Sequence, residues 1–170
     1  MPAAENEYLS LGIEGADKII TEGLVSGCTY LVRGGPGTGK TTLGMHFLTS
    51  NHDAKGMFVT FGESAGQLKR NAEKVGFPCD RVRFVELMPS MEDKDQTHPY
   101  TVFSTSEVEE DTLTGGILEA FETHKPDRIF IDSLTQIRYI APDSFQFRKQ
   151  ILSLFKYLTD NGATLLATSE

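Results

Sequence analysis

The sequence predicts an α/β fold in which a mostly parallel sheet is covered by helices on both faces. Five short runs rich in β-forming residues alternate with segments of helical periodicity, as in parallel sheets joined by crossover helices. The chain has 170 residues, which suits one domain and suffices to bury a core. The predicted strands span residues 29–32, 57–61, 82–87, 128–132 and 163–168.

The first predicted strand leads into a glycine-rich motif, because residues 34–42 read GGPGTGKTT and contain the G-x-x-x-x-G-K-T pattern. Glycines allow positive φ angles, so successive backbone N–H groups can converge on an anion. A helix predicted for residues 40–48 would point its unpaired N–H groups and positive dipole end at the same place. We therefore assign nucleotide binding to Gly35, Pro36, Gly37, Thr38, Gly39, Lys40, Thr41 and Thr42.

Three residues of this P-loop carry distinct expectations. Lys40 would place a positive charge near the β and γ phosphates of ATP, and the Thr41 hydroxyl is the expected Mg²⁺ ligand. Thr42 is expected to cap the helix or to contact the α phosphate. A glycine-rich turn without a ligand is the alternative, but the apolar strand before the motif and the apolar helix face after it favour the nucleotide site.

Two further helices have clear sequence signals. The helix after the second strand should begin at Ser64, which has capping-box spacing to Gln67, and should end at Gly76. Its apolar side is formed by Leu68, Ala72 and Val75. A later amphipathic helix, which should stop before Gly162, is predicted by the apolar series Phe147, Ile151, Leu154, Phe155 and Leu158.

The composition of residues 88–111 and the position of the last strand lead to two further predictions. Residues 88–111 are acidic, contain proline and show little periodicity, so we interpret them as a solvated surface excursion rather than a metal cluster. The chain ends directly after an apolar strand, and nothing follows to cover that strand or to pair its edge. We therefore expect the sequence to be a fragment of a longer domain, with the last strands truncated.

Composition excludes several function classes. The net charge of −8 and the pI near 5.0 disfavour broad electrostatic binding of nucleic acid. No apolar run is long enough to cross a membrane, and the polar, acidic start of the chain does not resemble a secretory signal, so we expect a cytoplasmic protein. The two cysteines and four histidines lack the spacing of a metal site or a disulfide framework.

Polar residues that close apolar strands are the other candidate site residues, since ligands of open α/β sheets lie at the carboxyl ends of the strands. Asp132 ends a strand with the Walker B pattern and is the expected Mg²⁺-side acid. Glu63 follows the second strand and is the candidate catalytic base that would polarise the attacking water. The alternatives are a turn cap at Asp132 and a dipole-favoured acid at Glu63. Hydroxyls at Thr168 and Ser169 could sense the terminal phosphate.

These motifs together resemble the KaiC-type ATPase domains of the RecA superfamily. The similar blocks, in chain order, are residues 12–17, 22–24 with Gly27, 58–64, 71–72 with Gly76, 131–133, 162–164 and 168–170. The resemblance implies that residues 1–170 are one RecA-like P-loop NTPase domain that uses ATP and Mg²⁺. It also implies hydrolysis between the subunits of a ring, typically a hexamer, in a clock or signalling regulator with regulatory protein partners. In the full-length protein, autokinase activity would also be consistent with the resemblance.

The chain departs from this family pattern at two positions. Gly62 stands where the first of two adjacent glutamates is usual, which leaves only Glu63 and predicts slow or impaired hydrolysis. Glu22 stands where glycine is common. The family core also continues past residue 170 with further strands and with basic residues that reach a neighbouring subunit.

Two other functions are compatible with the sequence. A RecA-like recombinase or repair ATPase would use the segment 133–144, where Arg138 and Tyr139 form a basic and aromatic pair suited to single-stranded DNA. The acidic balance of the chain favours packing or subunit contact for that pair instead. A non-hydrolysing module that assembles on ATP would fit the loss of the first glutamate.

Overall fold

The computed structural model of the protein describes residues 7–20, 23–87, 105–136 and 144–170. Its strands are β1 (Tyr8–Leu9), β2 (Leu24–Val25), β3 (Thr29–Arg33), β4 (Gly56–Phe61), β5 (Val82–Leu87), β6 (Arg128–Asp132) and β7 (Thr164–Ser169). The main helices are α1 (Glu14–Ile19), α2 (Lys40–Thr49), α3 (Ala65–Lys74), α4 (Thr105–His124) and α5 (Ser144–Asp160).

Five strands form one parallel sheet in the order β3-β7-β6-β4-β5. Each of the five predicted strands is confirmed, with no end displaced by more than one residue. The short strands β1 and β2, which the sequence did not predict, form a separate antiparallel pair. The strand order separates β3 from β6 by a single strand, so the segment that follows β3 can cross β7 and pack on β6.

Helices cover both faces of the sheet, as predicted, because alternate residues of each strand point to opposite sides. One core is built from one face of the central strands together with α4 and α5. Its fully buried residues include Met57, Val59, Ile129, Ile131, Leu158 and Leu165. The opposite core packs α2 and α3 on the other face, around Phe47, Leu48, Phe58, Phe130 and Leu166.

The expectation that the last strand lacks a partner for its edge is wrong. β7 lies between β3 and β6 and pairs with both, so both of its edges are hydrogen-bonded. Its residues Thr164 to Thr168 are buried. Among the described strands the sheet edges are β3 and β5, and on β3 the Leu31 side chain is 55% exposed. The last strand of the chain is thus a central strand of the sheet, because the order of strands in the sheet differs from their order in the chain.

The reading of residues 88–111 as one surface excursion is also wrong, since residues 105–111 form the first turns of α4. Residues 88–104 lie outside the described part of the chain, as does Glu22. The apolar spacing that marks α4 as helical, at Ile117, Ala120 and Phe121, begins only after the acidic run. Acidic residues near a helix start are compatible with the helix dipole. Because these acidic residues show no apolar periodicity, the sequence does not predict the first turns of α4.

The start of α3 is as predicted, but its cap is different. Ser64 occupies the N-cap position and makes no side-chain capping hydrogen bond. Instead the Glu86 carboxylate accepts the Ala65 N–H at 2.9 Å. Glu86 belongs to β5 and is paired with Thr60 in the sheet register. The helix N-terminus is therefore capped by a residue distant in sequence and not by Ser64, which the sequence predicts as the cap.

No described helix is long and apolar enough to cross a membrane. Across the described ranges there is also no group of three or more histidine, cysteine or acidic side chains arranged to hold a metal ion.

Candidate nucleotide-binding site

The P-loop connects β3 to α2 through a backbone that requires glycine. Gly37 and Gly39 have φ angles of 75° and 87°, and Gly39 is the left-handed N-cap of α2. No atom lies within 4 Å of a Cβ built on either residue, so backbone strain and not lack of space disfavours a side chain there. The Thr38 hydroxyl donates to the Gly35 carbonyl at 2.9 Å and holds the loop closed on itself.

Lys40 lies against this loop. Its Nζ donates to the Gly34 carbonyl at 2.6 Å and to the Gly35 carbonyl at 2.9 Å. Both acceptors are neutral, so the ammonium charge has no anionic partner among these contacts. A cation in this position attracts the negative charge of a polyphosphate that enters the loop.

The first turn of α2 meets the end of β6. The Thr41 hydroxyl donates to Asp132 Oδ2 at 2.6 Å, although 91 residues separate the two positions. Asp132 Oδ1 accepts a second hydrogen bond of 2.6 Å, from the Thr168 hydroxyl on β7. The Asp132 carboxylate is therefore oriented by side chains of two different elements.

The suggestion that Thr168 senses the terminal phosphate is wrong. Thr168 is fully buried, and its hydroxyl is directed to Asp132 and to the Ile131 carbonyl at 3.3 Å. A side chain without exposed surface cannot touch a ligand. Thr168 instead positions the carboxylate that the sequence assigned to Mg²⁺.

A cavity of about 250 Å³ brings most of the predicted residues together. Its wall includes Lys40 and Thr41 from α2, Glu63 from beyond β4 and Asp132 from the end of β6. Pro36 and Gly37 contribute the loop side of the wall, whereas Gly35, Thr38, Gly39 and Thr42 belong to the same loop and first turn without lining the cavity. The carboxyl ends of β4 and β6 are adjacent because these strands pair directly.

Strand β6 holds α2 at three points, two of which the sequence did not indicate. Residues 128, 130 and 132 alternate along the strand and so lie on one face. Asp132 contacts the start of α2, and Phe130 contacts its middle at Gly44, where an added Cβ would lie 2.3 Å from the Phe130 ring. Gly44 therefore sets how closely the helix approaches the strand. An isolated glycine in a helical pattern was the signal that could have revealed it.

Arg128 holds the other end of α2. Its side chain is buried, and Nη1 donates to the Phe47 carbonyl and to the Ser10 carbonyl, each at 2.8 Å, and also to the Ser50 hydroxyl. The guanidinium carbon lies 5.3 Å from the centre of the Phe47 ring. Burial lowers the pKa of Arg128 from its ordinary value, while the carboxylates of Asp127 and Asp17 act in the opposite direction. The helix that carries Lys40 and Thr41 is thus anchored at both ends to the strand that carries Asp132.

We expect Gly44→Ala to lower the free energy of unfolding by about 1–3 kcal/mol, because the new methyl group must displace the Phe130 ring. The matched control is Gly115→Ala, on the exposed side of α4, where no atom lies within 4 Å of the added Cβ. That substitution should raise stability by about 0.5–1 kcal/mol, because alanine is the better helix former. Urea unfolding of both variants checks the prediction, and stabilisation by Gly44→Ala would contradict the close packing of α2 on β6.

Comparison with known proteins identifies the family to which the chain belongs. Residues 9–170 match the model of the family described as "ATPase: KaiC". The circadian clock oscillator protein KaiC of Parasynechococcus marenigrum is 30% identical over 173 residues, which cover 96% of this chain and 32% of that relative. The circadian clock protein KaiC3 of Synechocystis is 29% identical over 96% of this chain and 33% of its own length.

A solved structure of a KaiC-like protein also resembles this chain. The crystal structure of a KaiC-like protein from the archaeon Pyrococcus horikoshii superposes with a TM-score of 0.74 at 25% identity. The match covers 97% of this chain and 72% of that protein. The present chain spans about a third of the length of the curated relatives.

Proposed function

Since the chain belongs to the KaiC ATPase family, we propose that it binds Mg-ATP in the cavity between the P-loop and Asp132 and that the protein containing it hydrolyses this nucleotide. Family membership confirms the resemblance of the sequence motifs, and the parallel sheet confirms the RecA-like fold. The observation that carries the proposal is the 2.6 Å contact between the Thr41 hydroxyl and Asp132, in the same cavity as Lys40 and Glu63.

The donor set fits a hard divalent cation. Mg²⁺ prefers oxygen ligands and keeps several waters, and the site offers one hydroxyl and one carboxylate beside a loop suited to phosphates. Thr41 would bind the ion directly and Asp132 would bind it through water. When bound, Mg²⁺ neutralises charge on the phosphate oxygens. Hydrogen bonds from the Thr41 and Thr168 hydroxyls orient the Asp132 carboxylate in this site.

Different residues of the chain would bind the phosphates and accept the proton of the attacking water. P-loop amides and the Lys40 ammonium would hold the phosphates, so that the terminal phosphate is presented towards the end of β4. Glu63 lines that side of the cavity and would accept a proton from the attacking water. Catalysis here consists of positioning and of stabilising charge, as is general for phosphoryl transfer.

The biological setting is a further part of the proposal. Relatives named as circadian clock proteins support a regulator in which ATP turnover is coupled to contacts between the subunits of a ring, most simply a hexamer, and to regulatory protein partners. We propose that residues 1–170 belong to one ATPase domain of such a protein. A cytoplasmic location stays a prediction.

Two alternatives differ from this proposal in their observable output. A DNA-acting ATPase would rely on Arg138 and Tyr139, which lie outside the described residues, and the net charge of −8 disfavours it. Salt-sensitive binding of labelled single-stranded DNA would support that alternative. A non-hydrolysing module would bind ATP and assemble without releasing phosphate.

Calorimetry with the full-length protein tests the proposal. We expect heat on addition of Mg-ATP and weaker binding when EDTA removes the metal, because Thr41 and Asp132 would act through Mg²⁺. Thr41→Val should weaken Mg-ATP binding by about tenfold or more, or roughly 1.4 kcal/mol, and should abolish most of the effect of EDTA. Thr49→Val is the matched control, since that hydroxyl donates to the Met45 carbonyl at the far end of α2. Absence of binding by the unmodified protein would refute the proposal.

A further inference from the structure

A glutamine that the sequence did not single out lines the nucleotide cavity. Gln136 follows β6 by four positions, and its backbone N–H donates to the Ser133 carbonyl at 3.2 Å, at the start of the helical segment after the strand. The side chain borders the same cavity as Lys40, Glu63 and Asp132. Its amide forms no hydrogen bond with the described part of the chain, so both the oxygen and the nitrogen remain available.

The Gln136 amide lies over Gly62. A Cβ built on Gly62 would be 3.5 Å from Gln136 Oε1 and 4.0 Å from Nε2. Gly62 has a φ angle of 95°, which L side chains rarely adopt. Glycine therefore allows the sharp turn after β4 and leaves open the space that the amide faces.

Glu63 and Gln136 approach the cavity from neighbouring strands. Glu63 follows β4 and Gln136 follows β6, and these strands pair in parallel with Thr60 opposite Asp132. The cavity thus receives a carboxylate from one strand end and a neutral amide from the next, beside the Lys40 ammonium. An amide carries both an acceptor oxygen and two donor hydrogens, so it can bind a water molecule and a phosphate oxygen together.

We infer that Gln136 positions the water that attacks the γ phosphate, together with Glu63, an inference that rests on the proposed ATPase function. Oε1 accepts a hydrogen bond from the water, and Nε2 donates to an oxygen of the γ phosphate as the transition state forms. The water oxygen forms a bond to the γ phosphorus while the bond from that phosphorus to the β–γ bridging oxygen breaks. The electron pair of that bond stays on the β phosphate of ADP.

The Glu63 carboxylate accepts the proton that the reaction releases. The attacking water loses one proton to Glu63, which releases it to solvent after inorganic phosphate forms. Gln136 keeps its protonation state throughout, because an amide neither gains nor loses a proton near neutral pH. A neutral amide that orients the attacking water is an established device in other P-loop enzymes.

The test measures Mg-ATP affinity and single-turnover hydrolysis separately in the full-length protein. Gln136→Ala should leave the Kd for Mg-ATP within about twofold and lower the hydrolysis rate by on the order of 10- to 100-fold, since it removes a group that acts on the water. Gln136→Leu, which keeps the size of the side chain, should behave in the same way. The matched control is Gln67→Ala, on the exposed side of α3 and outside the cavity wall, which should retain both values.

A glutamate at this position provides a readout that a merely structural role would not change. Gln136→Glu should add an ionisation to the pH dependence of single-turnover hydrolysis, because the new carboxyl group lies beside the reacting water. Circular dichroism verifies that each variant is folded, and the leucine variant serves if the alanine variant is not.

The outcomes separate this inference from the function on which it rests. Failure of the unmodified protein to bind Mg-ATP overturns both. Hydrolysis by Gln136→Ala and Gln136→Leu at the unmodified rate overturns the inference alone, and leaves the proposed ATPase intact. Equal losses of affinity and rate would also overturn it, because Gln136 would then contact the nucleotide equally before and during the reaction.

Discussion

Lys40→Ala is expected to abolish detectable binding of Mg-ATP. The Lys40 ammonium lies at the P-loop with only the neutral carbonyls of Gly34 and Gly35 as hydrogen-bond partners. Its removal takes away the positive charge that would offset the phosphates and leaves two carbonyl oxygens without this hydrogen-bond donor. We expect the Kd to rise by at least about 100-fold, or roughly 2.7 kcal/mol, which is within the range for hydrogen bonds to charged groups.

Calorimetry with the full-length protein measures this loss, and Lys55→Ala is the matched control. Lys55 Nζ donates to the His124 carbonyl at 3.3 Å. Lys55 precedes β4 and so lies at the amino-terminal end of the strands, whereas the P-loop lies at their carboxyl ends. The control should bind Mg-ATP as the unmodified protein does. Unchanged affinity in Lys40→Ala would show that the nucleotide does not occupy the P-loop, and the site assignment would be abandoned.

Glu63→Gln is expected to retain Mg-ATP binding and to lose turnover in the full-length protein. Glutamine keeps the shape of the side chain but cannot accept the proton of the attacking water. Glu63 lines the cavity, whereas the proposed Mg²⁺ ligands are Thr41 and Asp132, so the ground-state affinity should change little. We expect phosphate release to fall by about 10²- to 10⁴-fold, the usual contribution of a positioned acid or base.

Phosphate release and the Kd should be compared with those of Glu73→Gln. Glu73 lies on the exposed surface of α3, where its carboxylate is 3.8 Å from Lys69, and it is outside the cavity. That variant should match the unmodified protein. Normal phosphate release by Glu63→Gln would exclude Glu63 as the base. If the unmodified protein binds ATP and releases no phosphate, the ATP-dependent assembly module becomes the better description.

Several features were predictable because they depend on consecutive residues. The buried strands β4, β6 and β7 have near-continuous apolar sequences, whereas the partly exposed edge strands β3 and β5 are indicated by their β-forming residues. The predicted ends of all five strands lie within one residue of the observed ends. The P-loop could be recognised because its glycines, lysine and threonines occur within nine positions. Asp132 and Glu63 could be proposed as site residues because each closes or follows an apolar strand, and parallel strands place such residues at one end of a sheet.

Other features had no local signal. The acidic start of α4 lacks apolar periodicity, so its sequence predicts a surface excursion where the structure has the first turns of a helix. Ser64 carries the sequence of a cap, but Glu86 from the neighbouring strand provides the contact with the helix N-terminus. The central place of β7 could not be foreseen, because strand order in a sheet does not follow the order of the chain.

The sequence by itself determined the strand-forming runs, the glycine-rich loop and the acidic residues at the strand ends, since backbone conformation and apolar periodicity are set by near neighbours. Tertiary structure alone decided which distant residues complete the site. Arg128 reaches the Phe47 carbonyl across 81 positions, Thr168 reaches Asp132 across 36, and Gln136 faces Gly62. The first two contacts follow from packing α2 on β6 and inserting β7 beside β6, and the third follows from the pairing of β4 with β6. Burial of the two cores selects this arrangement from all strand orders compatible with the local pattern.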